Sequence, residues 1–154
     1  MSPAAKRRVA RITPAGTAAP PTPAELMREA VVARAHSHSP YSRFPVGAAL
    51  LGESGRVYHG CNVENASFGL TCCAERSAVF QAISAGEKRF AAIAVTARTG
   101  RGAPPCGACR QVMAEFSPGM WVYWRDAGSR ILRKRLSALL PDMFDFPAKR
   151  GGGR

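Results

Sequence analysis

A chain of 154 residues, 46% of them apolar, suits one domain with a hydrophobic core and excludes global disorder. No run of about eighteen apolar residues occurs and no apolar signal region stands near the start, so a membrane-spanning helix and a secretory leader are not expected. The formal charge of +12 invites a nucleic-acid reading, but seven basic residues lie in acid-free tails, leaving fifteen basic against ten acidic residues between them.

Residues 1–21 are rich in Ala, Pro, Thr and Arg without apolar periodicity, and predict a disordered basic tail rather than an organellar transit peptide. The folded domain is expected over residues 22–146, with a flexible basic tail over 147–154. Thr22-Pro23-Ala24-Glu25 is a capping box with Pro at the first helical position. A helix should follow to about residue 35, with Leu26, Ala30, Val31 and Ala33 as its apolar stripe. His36 to Pro45 reads as loop. Val46 to Leu51 reads as a buried strand, Glu53-Ser54-Gly55 as a turn, and Val57 to Cys61 as a second strand. After a polar stretch from Asn62 to Cys72, a helix runs from Cys73 to about Ser84 and stops at Gly86. Phe90 to Thr96 predicts a third buried strand, and Thr99 to Pro105 a loop. Gly107 to Phe116 predicts a helix and Met120 to Trp124 a strand. Ile131-Leu132 predicts a short fifth strand, and Leu136 to Leu140 a last helix. Strands alternating with helices imply an α/β class in which helices pack on a sheet.

The five cysteines are Cys61, Cys72, Cys73, Cys106 and Cys109. An odd count, an adjacent pair and a CxxC argue for thiolate chemistry in a reducing compartment, and so for a cytoplasmic location. Cys73-Ala74-Glu75-Arg76 precedes Pro105-Cys106-Gly107-Ala108-Cys109-Arg110 by about thirty residues. Catalytic zinc takes three protein ligands and keeps a position for water. Cys73, Cys106 and Cys109 can be those ligands. Glu75 stands close enough to exchange protons with that water, the layout used by zinc nucleobase deaminases. Cys73 and Cys106 each stand where a loop becomes a helix, so backbone N–H groups favour their thiolates. Cys109 lies one turn further on the same side. Three thiolates outweigh the charge of Zn²⁺ by about one unit. Arg76 and Arg110 directly follow the clusters and are expected to hydrogen-bond the thiolates. The competing reading is a closed structural site with Cys72 or Cys61 as a fourth ligand. Adjacent cysteines disfavour Cys72, and Cys61 in an apolar strand reads as core. Glu75 favours catalysis, since a structural site needs no acid there.

Four co-linear motifs resemble the small, homotetrameric zinc-dependent cytidine deaminases. They are Tyr41-Ser42-Arg43-Phe44-Pro45-Val46-Gly47-Ala48-Ala49-Leu50, Gly60-Cys61-Asn62-Val63-Glu64-Asn65-Ala66-Ser67, Cys73-Ala74-Glu75-Arg76, and Pro105-Cys106-Gly107-Ala108-Cys109-Arg110-Gln111. The resemblance spans about residues 24 to 146. It implies a three-layer α/β/α fold with a mixed sheet of about five strands, and one Zn²⁺ per subunit on Cys73, Cys106 and Cys109. It implies hydrolysis of cytidine and 2'-deoxycytidine to uridine and 2'-deoxyuridine with release of ammonia, a step of pyrimidine salvage. Glu75 would take a proton from the attacking water, give it to ring N3, and help protonate the departing amine. Asn62 and Glu64 would bind the ribose hydroxyls, the Ala74 backbone would read the base edge, and Phe44 would pack on the base. Phe68 and Phe144 resemble aromatic positions given to a neighbouring subunit's site, so a homotetramer with shared active sites is implied.

Three other functions compete. A deaminase of another aminopyrimidine nucleoside, such as a nucleoside antibiotic, shares the chemistry. A nucleic-acid cytosine deaminase gains support from the basic tails, but Glu64 beside the sugar would repel a phosphate. A non-catalytic zinc protein is opposed by Glu75.

Overall fold

The computed structural model describes residues 19–98 and 103–145. The expectations for most of the N-terminal tail, for the C-terminal tail and for part of the Thr99–Pro105 loop lie outside the described residues.

Helix α1 spans Pro23–Arg34. Thr22 caps it as its sequence dictates. The Thr22 hydroxyl accepts from the Glu25 amide at 3.3 Å, and the Glu25 carboxylate accepts from the Thr22 amide at 2.8 Å. Its buried stripe is Leu26, Met27, Ala30 and Ala33. Val31 was expected there, yet it is 40% exposed. Met27 takes its place because positions 26, 27, 30 and 33 fall on one arc at 3.6 residues per turn.

The strands are β1 (Val46–Gly52), β2 (Val57–Cys61), β3 (Phe90–Ala97), β4 (Trp121–Arg125) and β5 (Ile131–Arg135). They form one sheet in the order β2-β1-β3-β4-β5. Only β3 and β4 pair in parallel, so the sheet is mixed. Helices α2 (Ala74–Ser84), α3 (Gly107–Ala114) and α4 (Leu136–Leu139) complete the fold, with a single helical turn at Phe68–Leu70.

Two cores lie back to back. Ala48 and Leu50 of β1, Ile93 and Val95 of β3, and Val122 and Trp124 of β4 pack with α2 and α3. Their neighbours Ala49, Leu51, Ala92, Ala94 and Tyr123 pack on the other face against Leu26, Met27 and Ala30 of α1. This period-2 split explains the unbroken apolar runs of β1 and β3, which are buried on both faces. The architecture is α/β/α around five strands.

Strand β5 is longer than its two apolar residues predict. Arg133, Lys134 and Arg135 extend it, paired with Tyr123, Val122 and Trp121. The guanidiniums of Arg133 and Arg135 stand 5.1 and 3.9 Å from the Trp121 ring centroid. A charged edge strand carries no hydrophobic alternation to read, and its charge discourages pairing with another sheet.

Gly60 of β2 marks where the sheet meets α2. A Cβ built there would lie 2.2 Å from the Ala74 carbonyl oxygen and 2.4 Å from the Ala78 nitrogen. The absence of a side chain thus lets the helix carrying Cys73 and Glu75 rest directly on the strand.

Candidate active site

Cys73 is the N-cap residue of α2, and Cys106 that of α3. Both have extended backbones, and neither side chain caps its own helix. Cys109 sits one turn into α3 and is fully buried. The three sulfurs lie within 4.8 Å of one another, with Cys106 and Cys109 3.5 Å apart. Tetrahedral zinc with Zn–S bonds of about 2.3 Å needs sulfurs about 3.8 Å apart, so the triad fits that ion. Soft thiolates suit zinc better than magnesium or calcium.

The other two cysteines stay outside. The Ser77 hydroxyl points at the Cys72 sulfur from 3.6 Å. The Cys61 thiol donates to the His36 carbonyl at 3.3 Å. Cys61 was expected in the core, but it is half-buried at the end of β2, where the strand runs out to the rim. A set of three thiolates leaves a zinc ion one open position, which distinguishes a catalytic from a structural centre.

Charge within the cluster is unevenly shared. The neighbouring Cys109 thiol and the Arg76 guanidinium hold the Cys73 thiol down at about 5. Cys109 is pushed up in turn by the Cys73 sulfur, by burial and by the Glu75 carboxylate. Burial raises the Glu75 carboxyl, and the Cys73 thiolate adds to the effect. Glu75 is only 5% exposed.

Arg76 and Arg110 behave differently. Arg76 donates from Nη2 to the Thr71 carbonyl at 3.1 Å and to Cys73 Sγ at 3.5 Å. Arg110 was expected to bond a thiolate as well. Its guanidinium instead donates to the carbonyls of Pro105 and Leu139, both at 2.8 Å. It ties the loop before Cys106 to α4 and acts on the cluster only through that loop.

A cavity of about 310 Å³ opens over the sulfurs. Phe44, Asn62, Glu64, Ala74 and Glu75 line it together with Cys73 and Cys106. Asn62 is buried and braced. Its Oδ1 accepts from the Ser37 hydroxyl at 2.6 Å and the Val46 amide at 2.8 Å, and its Nδ2 donates to the Phe44 carbonyl at 3.0 Å. One of the two Nδ2 hydrogens remains free for a ligand. Glu64 accepts from the Ser42 hydroxyl and from the amides of Tyr41 and Ser42 at 2.9 and 3.2 Å. These bonds, the Ser42 hydroxyl first, hold its carboxyl below the usual range. Arg43, at φ 53°, reverses the chain between Ser42 and Phe44.

Phe68 and Phe144 do not line this cavity. They are 74% and 71% exposed. Phe68 stacks edge-on against Tyr41, with ring centroids 5.8 Å apart. The Phe144 backbone is gripped by the Gln111 side chain, which donates to its carbonyl at 2.8 Å and accepts from its amide at 3.2 Å. The bracing roles of Ser37, Ser42 and Gln111 escaped the sequence reading. Ser42 and Gln111 lie inside recognised motifs, whereas nothing in the sequence singles out Ser37.

Comparison with known proteins agrees with this geometry. Residues 21–125 match the cytidine and deoxycytidylate deaminase zinc-binding region. A cytidine deaminase of Sporosarcina psychrophila is 50% identical over 121 residues, covering 78% of this chain and 89% of that protein. One from Mycobacterium tuberculosis is 43% identical over 134 residues, covering 81% and 93%. The crystal structure of cytidine deaminase from Burkholderia pseudomallei superposes with a TM-score of 0.74 at 48% identity, over 77% of this chain and 96% of that one. With three sulfurs gathered for zinc and a buried glutamate beside them, the chain belongs to the cytidine deaminase family.

Proposed function

We infer that this protein is a zinc-dependent hydrolase that converts cytidine and 2'-deoxycytidine, with water, to uridine and 2'-deoxyuridine and ammonia. The observation that carries the reading is that one cavity collects a thiolate triad, a buried Glu75 and the polar pair Asn62 and Glu64. Zinc held by Cys73, Cys106 and Cys109 supplies Lewis-acid activation of the water that attacks C4.

The rest falls to the chain. Burial raises the Glu75 carboxyl, which suits it to carry protons in both directions. It takes one from the water, passes it to N3, and then protonates the departing amine. The first backbone groups of α2 at Ala74 are free of intrahelical bonds and face the cavity, so they can read the base edge. Phe44 packs on the base. Asn62 gives its free N–H to a ribose hydroxyl, and the ionised Glu64 accepts from one. A substrate with no sugar hydroxyl within reach leaves the buried Asn62 N–H unpaired.

Phe68 and Phe144, exposed and held by Tyr41 and Gln111, reach a neighbouring subunit's cavity in a homotetramer. We assign residues 22–146 to the deaminase domain between two basic tails. No described helix is long and apolar enough to cross a membrane. Thiolate ligands favour a reducing compartment, which we take to be the cytoplasm. Nucleic acid is disfavoured as substrate because Glu64 would face a phosphate at the sugar.

The test is deamination of cytidine followed by ultraviolet absorbance, comparing the wild type with Glu75→Gln at equal zinc content. Turnover lost in the variant supports the reading. A folded, zinc-loaded wild type that ignores cytidine but deaminates an oligonucleotide overturns it.

A further inference from the structure

A concentration of unopposed charge lies outside the zinc cavity. A second cavity of about 480 Å³ opens on the α1 side of the sheet, at the carboxyl ends of the parallel strands β3 and β4. In open α/β sheets this end of parallel strands is where ligands bind. Three arginines from three elements line it. Arg34 comes from the last turn of α1, Arg98 follows β3, and Arg125 ends β4. None of the three forms a salt bridge among the described residues. The one acid in the lining, Asp126, is engaged elsewhere, 2.8 Å from the Arg130 guanidinium. The cavity therefore holds about three positive charges with no free counter-charge.

Two of the arginines are also positioned. Arg125 donates to the Ser129 carbonyl at 2.6 Å, and Arg34 reaches the buried Thr96 hydroxyl at 3.5 Å. Each guanidinium has five donors, and the bonds of Arg34 and Arg125 use one apiece. The remaining donors suit the multiple oxygens of a phosphate. A catalytic domain has no structural need for three like charges around one void, since their mutual repulsion costs stability. The cavity also exceeds the size of a lone phosphate, and Val31 lines it with apolar surface.

We propose that this cleft is a binding site for a nucleotide-sized phosphate ester, separate from the nucleoside cavity. Among the described residues it abuts that cavity at Val95 and Ala103, which are common to both linings. The phosphates sit among Arg34, Arg98 and Arg125, and the remainder lies along Val31. Occupancy does not require catalysis, so the proposal stands apart from the identity of the deaminated substrate.

The experiment is isothermal titration of the full-length, zinc-loaded protein with ATP, pyrophosphate, adenosine and sulfate at constant ionic strength. The expected result is saturable binding of ATP and pyrophosphate, ATP the tighter, with no binding of adenosine or sulfate. Arg98→Gln and Arg125→Gln each weaken ATP binding at least tenfold, while zinc content and cytidine turnover stay at wild-type values. Arg34→Gln provides the same reading if a change at Arg125 loosens its turn. Binding that survives the double variant assigns the affinity to the basic tails and overturns the site. Equal binding of sulfate, or simple competition between ATP and cytidine, overturns it too.

Discussion

Replacing Gly60 by alanine tests whether the contact between β2 and α2 sets the geometry of the metal site. The added methyl would lie 2.2 Å from the Ala74 carbonyl oxygen, 2.4 Å from the Ala78 nitrogen and 2.9 Å from the Ala78 Cβ. Ordinary contact begins at 3.4 Å, so the shortfall at Ala74 is about 1.2 Å. Both nearest atoms are backbone, and no rotamer change can relieve them. Helix α2 must lift by about 1 Å, taking Cys73 and Glu75 away from the two sulfurs on α3. Overpacking of this kind costs about 1–3 kcal/mol. For a domain of this size that lowers Tm by roughly 4 °C per kcal/mol. A displacement of about 1 Å at reacting groups costs about 100-fold in rate. The assay combines thermal unfolding, zinc stoichiometry and kcat/KM for cytidine. Gly119→Ala serves as control, because a Cβ there meets nothing within 4 Å. A Gly60→Ala protein with wild-type Tm, full zinc and unchanged kcat/KM would refute the reasoning.

Three further outcomes follow from the cluster. The folded Glu75 carboxyl is raised by burial, so this group holds its proton in the metal-free native state above the ordinary carboxylate range, where the unfolded chain has lost it. Its own contribution to stability must fall as pH rises through that window, against the opposite contribution of the depressed Cys73 thiol. Glu75→Gln removes this slope and is the more stable protein at pH 7, which urea unfolding of the metal-free forms measures. Arg76→Gln deletes the bond to Cys73 and lets its thiol rise from about 5. Zinc affinity should drop about 10- to 100-fold, most at pH 6 and least at pH 8; unchanged metal content and rate would exclude the role. Because Cys109 holds a proton in the metal-free cluster, zinc loading must release it. Proton release in weakly buffered solution, and zinc affinity that climbs with pH, are the measurements.

The fold was most legible where one physical cause dominated. Thr22 and Glu25 announce a helix start by reciprocal hydrogen bonds, and the unbroken apolar runs of β1 and β3 announce strands covered on both faces. Strand β5 was half hidden, since its Arg133-Lys134-Arg135 segment is held by pairing to β4 and not by burial. The ligand triad was legible because a CxxC at a helix start can only present two sulfurs together. The arginines show the limit of that reading. Arg76 stands three residues after Cys73, shares its helix face and donates to its sulfur, whereas Arg110, four residues after Cys106, is drawn off by the carbonyls of Pro105 and Leu139. Adjacency in sequence suggested equivalence, and the carbonyls within reach of Arg110 denied it.

Both Cys73 and Cys106 occupy positions where Ser, Thr or Asp would ordinarily tie down the first turn of a helix, yet neither does so with its side chain. The capping duty passes to whatever neutralises the sulfurs, so one ion fastens the ends of two helices. Chelation should therefore fray α2 and α3 together from their N-termini, while the amides of β1 and β3 stay protected in hydrogen exchange. The deaminase core and its catalytic end would then behave as two layers of stability within one domain, with the metal as the latch between them.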